Sequence, residues 1–385
     1  MTERIFLTGG NGFIGGYTIA RLLDPAFAHD VHINALVRAK SKDEAYERLW
    51  AQLQLHWDVD TFRAMKSRIT PVLGDLHAPH LGIDASTGNR LVKEVDSILH
   101  IAASLNRKSS KACLNTNLRG TLSVIQLARA IEETSGLRRY SHVSTVAVAG
   151  HRSHEVVQED TAIDWDKSDY DPYARTKKFC EHMARELLPD VTKTFMRPSI
   201  VMGDSRPEYQ GRTSQFDMVR AFCFFADLPI IPLRPDDRMD IVPANWVAHG
   251  VAALHLSDKP KHEIYHLSAG EGAETSKQIA TTLAATVGRK ARFAPALLKP
   301  FRGTADALAR SKSRNVLTSV GSLVSVFIPY LVWDTVFANQ RAVTELGVAP
   351  TPFTEYCAPL YRYAKSVDYQ WKPTPLPSVS AGAAA

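Results

Sequence analysis

The chain has 385 residues, of which 45% are hydrophobic and 22% charged, with a formal charge of +6. That balance is ordinary for a globular protein with a substantial core, and it excludes disordered, collagen-like and disulfide-stapled chains. The four cysteines, Cys113, Cys180, Cys223 and Cys357, have no short pairing. They suggest neither a disulfide framework nor a zinc site, so no metal is expected and a reducing compartment is.

Met1 is followed almost at once by a strand-like run at 5–7. This leaves no room for a signal or transit segment, and the cytoplasm is the expected location. The run opens into Thr8-Gly9-Gly10-Asn11-Gly12-Phe13-Ile14-Gly15 and then a helical pattern over 14–23. The first glycines permit a sharp strand-to-helix turn, and Gly15 permits close packing of the helix on a sheet. Backbone amides at the helix N-terminus then face a pyrophosphate. A second strand, 31–37, ends in Arg38. An acidic residue there would hold the ribose hydroxyls of NAD and repel a 2'-phosphate, whereas a guanidinium holds that phosphate, so NADP(H) is favoured. Arg48, in a helix predicted over 43–53, is either a second phosphate partner or a plain surface arginine. After a third strand at 69–72, Gly74-Asp75-Leu76 has turn composition. Asp75 there is either an adenine contact or merely a turn residue.

Further strands are predicted at 97–101 and 140–143, with a helix over 116–133 between them. Ser144-Thr145 follows, then Tyr173-Ala174-Arg175-Thr176-Lys177. Residues four apart on a helix share a face, so Tyr173 and Lys177 lie side by side and the ammonium favours the phenolate. Tyr173 thereby becomes a proton donor usable near neutral pH. A surface Tyr and Lys would have the same spacing; the glycine turn upstream gives the pair its meaning. A strand at 193–196 follows. Strand and helix alternate throughout, which predicts an α/β fold with a Rossmann-like doubly wound parallel sheet over 1–200.

Beyond residue 200 the alternation becomes irregular and prolines gather between Leu228 and Pro235. Segments 240–243 and 264–268 read as strands returning to the sheet, within 238–270. Residues 201–237 and 271–372 are expected to form a smaller C-terminal substrate-binding and lid region, and 373–385 a disordered tail. Basic residues cluster at Arg107, Lys108 and Lys111 and again at Arg310, Lys312 and Arg314. Such clusters suit a phosphate-bearing or acidic partner, or are simply solvated faces. No basic-aromatic repeat is present, so no nucleic-acid partner is expected. The uncharged stretch 315–333 contains Thr318, Ser319, Gly321, Ser322, Ser325 and Pro329, too polar a set for a spanning helix. It is expected as a buried or lid-forming helix beside a lipophilic pocket, with peripheral membrane contact as the alternative.

With these residues collected, the chain resembles the extended short-chain dehydrogenases/reductases over residues 4–270. The motifs that carry the resemblance are the glycine turn, Gly74-Asp75-Leu76, His100-Ile101-Ala102-Ala103, Asn117-Leu118-Arg119-Gly120-Thr121, Ser144-Thr145 with Gly150, Tyr173 with Lys177, and Arg197-Pro198-Ser199. Within that family it is most similar to thioester reductases and fatty acyl-CoA reductases, through Leu36-Val37-Arg38-Ala39, Glu44-Ala45, Arg48-Leu49 and the segment 240–248. Ser104-Leu105-Asn106 departs from the family's usual context after the fourth strand.

The resemblance implies that Thr145, five residues before Gly150, binds the substrate oxygen in preference to Ser144, and that Tyr173 donates the proton. It implies that Lys177 holds the nicotinamide ribose and that Asn117 supports the helix and water beside it. The implied cofactor site comprises Thr8, Gly9, Asn11, Gly12, Phe13, Ile14, Gly15, Arg38, Arg48, Asp75 and Leu76, then Ala102, Ala103, Ser104, Tyr173, Lys177, Pro198 and Ser199.

The implied reaction is NADPH-dependent reduction of an acyl thioester, on coenzyme A or an acyl carrier protein, to the aldehyde, with a second round giving the alcohol. Alternatives are an NADP-dependent ketone or alcohol oxidoreductase of the steroid or flavonoid type, and a non-catalytic cofactor sensor, which has no need of Thr145, Tyr173 and Lys177. A sugar-nucleotide epimerase is disfavoured by Arg38. A long acyl chain needs continuous apolar walls, and the expected sources are 316–333, including Val324 and Phe327, and Phe222, Phe224 and Phe225. The sequence gives no indication of oligomeric state.

Overall fold

The computed structural model describes residues 2–27, 29–160, 163–311, 316–332 and 334–377. Seven strands form the central sheet: β1 Glu3–Thr8, β2 Val31–Val37, β3 Ile69–Leu73, β4 Ser97–His100, β5 Arg139–Val143, β6 Lys193–Pro198 and β7 Ile264–Leu267. They lie in the order β7-β6-β5-β4-β1-β2-β3 and pair in parallel throughout. The helices that matter here are α1 Phe13–Leu22, α2 Lys42–Leu53, α3 Ala85–Glu94, α4 Gly120–Thr134, α5 Pro172–Leu187 and α6 Asp217–Asp227. They continue with α7 Ala244–Leu256, α8 Ser276–Thr286, α9 Leu298–Arg310, α10 Val316–Leu331 and α11 Phe353–Ser366.

Side chains alternate across a strand, so each face of the sheet meets its own helices. Ile5, Leu7, Ile33, Ala35 and Leu99 pack with α1, α2 and α7 through Ile19, Leu49 and Val251. Phe6, Leu36, Ile98 and Tyr140 pack on the opposite face with α3, α4 and α5 through Leu91, Val124 and Ala184. A parallel sheet covered on both sides is buried throughout, which is why β1 reads as an unbroken apolar run. Each fully buried Leu, Ile or Phe contributes about 1.5–3 kcal/mol. The strand order reverses between β1 and β4, so the loops leaving their carboxyl ends part and open a crevice.

A second helical layer sits beyond these ends. Phe222 and Phe225 of α6, Leu283 of α8, Ala305 of α9, Val324, Phe327 and Ile328 of α10 and Tyr356 of α11 share one apolar cluster. Gly321 brings α9 and α10 together: a Cβ there would lie 2.5 Å from Leu308 Cβ. No helix among the described residues is long and apolar enough to cross a membrane.

Several segments differ from the sequence-based expectation. The helix expected over 116–133 is broken into Ser110–Cys113, a π-helical turn Leu114–Arg119, and α4. Of the two expected strand returns, 264–268 joins the sheet as β7. Segment 240–243 instead forms Ile241–Val242, a two-residue ladder with Ile200–Val201 outside the large sheet. Residues 373–377, expected to start a disordered tail, run along α2. There the Trp50 indole donates to the Thr374 carbonyl (3.0 Å), and the Leu376 amide donates to Glu47 (3.0 Å). Residues 378–385, with Lys312 and Arg314 of the second basic cluster, lie outside the described residues.

Candidate active site

The turn after β1 is built by close backbone approaches. Gly9 has φ +80°, and a Cβ there would lie 2.7 Å from Ala102 N; a Cβ on Gly15 would lie 1.9 Å from Gly9 O. The Gly12 amide donates to Gly9 O (2.9 Å), and no side chain caps α1, so the helix opens its amides into a cavity of about 540 Å³. Asn11, Gly12, Phe13 and Ile14 line this end, opposite Ala102 and Ala103 at the end of β4. Arg38, Arg48, Asp75 and Leu76 line the outer rim. Arg38 stands 3.8 Å from Asp75 and is two-thirds exposed, so its guanidinium is available to an anion. Arg48 also reaches the rim, but pairs with Glu44 one turn earlier at 2.8 Å.

The opposite wall carries the chemistry. Asp171 caps α5, its Oδ1 accepting the Ala174 amide at 2.8 Å, and so fixes the first turn on which Tyr173 lies. Thr145, Tyr173, Lys177, Pro198 and Ser199 all line the cavity. Ser144 lines it too, but its hydroxyl is buried toward Glu181, which leaves Thr145 as the hydroxyl facing the Tyr173 phenol. Glu181 grips Arg197 with bonds of 2.9 and 2.6 Å; both are buried, and the pair anchors the end of β6 on α5.

The electrostatics depart from the simple reading of a tyrosine and a lysine one turn apart. Burial pushes the Tyr173 phenol up to about 12; Arg107 opposes the rise, Asp171 adds to it, and the Thr145 hydroxyl opposes it again. The Lys177 ammonium turns to the Val143 carbonyl (2.6 Å) and lies 3.3 Å from His142 Nε2. Burial draws Lys177 down to about 8, with Cys180 and Glu181 opposing. His142 is held neutral by burial and by the charge of Lys177.

Three residues expected in the site lie behind it. The Thr8 hydroxyl bonds His100 Nδ1 (2.6 Å) and the Ala102 amide (3.2 Å), tying β1 to β4. Asn117 sits in the π-helical turn. It accepts the Ser104 amide (2.7 Å) and donates to Thr176 (3.0 Å), so it fastens the loop after β4 to α5. Ser104 is spent on that contact. None of the three lines the cavity, because each is committed to another backbone segment.

The site also holds residues that the sequence does not mark, or marks for another role. Arg107, counted in a basic surface cluster, turns inward and lines the cavity with Phe327 and Tyr330 of α10. Its neighbour Lys108 hydrogen-bonds Ser322 of α10. The only sequence trace of Asp171 is its place before Pro172, where a helix cap belongs. Of the expected acyl wall, Phe327 is at the cavity, while Val324, Phe222 and Phe225 point into the core. Phe224 packs on Phe301, with ring centroids 6.5 Å apart. The remaining wall mixes Met218 and Phe337 with Gln215, Arg238, Asp240 and Thr335. Among the described residues no group of three or more His, Cys, Asp or Glu side chains could hold a metal.

Hydride transfer needs a cradle for a dinucleotide and a hydroxyl acid beside the reacting carbon, and one cavity here supplies both. A nicotinamide cofactor fits the donor set, since uncapped amides meet the pyrophosphate and Lys177 lies within reach of a ribose. This is the architecture of the extended short-chain dehydrogenases/reductases, a class of nicotinamide-dependent oxidoreductases. The chain belongs to the Male sterility protein family, an NAD-binding family whose model matches residues 7–251.

Among characterised relatives, it is 30% identical over 272 residues to a linear gramicidin synthase of Brevibacillus parabrevis, a match covering 69% of this chain and 5% of that protein. It is 26% identical over 282 residues to "Putative fatty acyl-CoA reductase CG8306" of Drosophila melanogaster, covering 65% of this chain and 54% of the fly protein. The chain therefore spans less than two thirds of either relative. The fold is that of the terminal R domain from the myxalamid PKS-NRPS biosynthetic pathway, with TM-score 0.79 at 23% identity, covering 97% of this chain and 92% of that one.

Proposed function

We propose that the protein uses NADPH to reduce an acyl thioester, carried by coenzyme A or by a carrier protein, to the aldehyde. The observation that carries this reading is the single cavity in which Thr145 and Tyr173 face the space beside an open helix terminus, in a chain whose relatives are named as fatty acyl-CoA reductase and peptide synthetase. NADPH is the proposed donor because Arg38 stands exposed at the end of β2 where a 2'-phosphate would lie.

The bound cofactor supplies hydride to the thioester carbonyl carbon. Thr145 donates a hydrogen bond to the carbonyl oxygen and Tyr173 gives that oxygen its proton, so charge is met where it develops. Lys177 holds the ribose and keeps the reacting face toward Tyr173. The resulting hemithioacetal loses its C–S bond; the thiolate leaves with a proton and the aldehyde is released. A second passage through the same site would give the alcohol.

The test is to mix the purified protein with NADPH and a panel of acyl-CoA and carrier-bound thioesters, following NADPH absorbance, free thiol and carbonyl products by mass. One thiol released per first NADPH oxidised, with loss of turnover in Tyr173→Phe, is the expected result. NADPH oxidation on ketones without thiol release would replace this reading with that of a ketone reductase.

A further inference from the structure

The Arg107 guanidinium is enclosed within the cavity wall. Its carbon lies 5.1 Å from the centroid of the Tyr173 ring, 5.2 Å from Phe327 and 5.5 Å from Tyr330, and its Nε lies 3.4 Å from Asp171 Oδ2. Asp171 is thus shared: one oxygen caps the helix of Tyr173, and the other receives Arg107 and the Tyr330 hydroxyl (2.6 Å). A guanidinium enclosed by three rings is desolvated, and there a cation's field on a neighbouring ring is strongest.

Several groups surround the phenol. From α5 itself come Asp171 and Lys177, from the segment Ser110–Cys113 comes Cys113, from α10 comes Tyr330, and from the loop after β4 comes Arg107. Lys177 is engaged with Val143 and His142, so the cation that faces the Tyr173 ring is Arg107.

We propose that Arg107 is a positioning residue for Tyr173: fixed by Asp171 and the two rings of α10, it holds the phenol against the cavity and favours delivery of its proton to the substrate oxygen. The inference rests on Tyr173 being the proton donor. In the step concerned, the Tyr173 O–H bond breaks as the substrate O–H bond forms and hydride reaches the adjacent carbon. The phenolate left behind sits beside the guanidinium until solvent returns a proton. A positive charge at this place stabilises the product side of the transfer, so its removal slows the chemical step more than it weakens binding.

A double-mutant cycle tests this, using Arg107→Met, Tyr173→Phe and the pair, with kcat, KM, NADPH binding and melting temperature measured for each. Arg107→Met is expected to lower kcat by about tenfold or more with an intact Tyr173, and by less than about twofold in the Tyr173→Phe background. The solvent deuterium isotope effect on kcat should rise in Arg107→Met, since proton transfer then limits turnover, and Arg107→Lys should recover most of the rate. Equal losses in both backgrounds, or a loss confined to KM and melting temperature with no change in isotope effect, would overturn the proposal. Full turnover in Tyr173→Phe alone would instead remove the functional reading on which it rests.

Discussion

The Tyr330 hydroxyl donates a 2.6 Å hydrogen bond to Asp171 Oδ2, joining α10 to the cap of the helix that bears Tyr173. The two residues are far apart in sequence, and the bond makes the seating of one helix depend on the start of another. Stacking of Tyr170 on Tyr330, with centroids 4.8 Å apart, extends the joint along the cavity rim.

Asp171→Ala should therefore be costly in two ways. It removes a helix cap, about 1 kcal/mol, and leaves Tyr330 and Arg107 without their carboxylate, adding about 1–2 kcal/mol. Urea unfolding should show a loss of about 2–3 kcal/mol, and turnover should drop with it. Asp171→Asn keeps a capping oxygen and should recover the first part only; a variant as stable as the parent would show that the joint is weak.

Cofactor choice should turn on Arg38. Arg38→Asp places a carboxylate where a 2'-phosphate is proposed to sit, and preference measured as the ratio of kcat/KM for NADPH and NADH should move by about two orders of magnitude toward NADH. If the parent protein used both dinucleotides equally well, the assignment of Arg38 would fail.

The pH profile should report Lys177. Burial lowers its pKa to about 8, so the ammonium is present below that pH and lost as pH rises through it. If the charged form is the one that holds the ribose, kcat/KM should be level from pH 6 to 7.5 and decline above 8, approaching tenfold per unit. Lys177→Arg should abolish the limb while retaining some activity, because a guanidinium stays charged. His100 and His142 are held neutral by burial and add no step in this range. A flat profile to pH 10 would contradict the assignment.

Val324 and Phe327 of α10 should separate core from cavity. Val324 is 1% exposed and packs in the second cluster, so Val324→Ala should lower the melting temperature through a loss of about 1–2 kcal/mol and affect all substrates alike. Phe327 faces both the cavity and Arg107, so Phe327→Ala should raise KM for the longer members of an acyl series more than for the shorter. Indistinguishable chain-length profiles for the two variants would argue that the helix only completes the core.

Much of the site is local in sequence and could be read there. The glycine turn needs only adjacent residues, the helix face shared by Tyr173 and Lys177 follows from the helical period, and the alternation of Ile5, Phe6 and Leu7 announces a strand buried on both sides. What escaped reading depends on contacts between distant segments. Arg107 looks like part of a basic patch until Asp171 and the rings of α10 enclose it. Thr8 and Asn117 carry family motifs, yet act by holding backbone segments rather than by facing the cavity. The direction of the Lys177 ammonium is set by Val143 and His142 on the adjacent strand, and no spacing within α5 encodes it.

The π-helical turn Leu114–Arg119 imposes a condition on chain length. Such a turn holds one residue more than the α-helix around it would. Deleting one residue there would let the helix close regularly, but everything upstream would swing by about 100° about the axis. Asn117 would lose Ser104 and Thr176, and the loop bearing Arg107 would be carried off Asp171. The count of residues from Arg107 to Gly120 thus acts as a gauge: substitutions within it are open to trial, whereas insertions and deletions break the alignment between two walls of the same cavity.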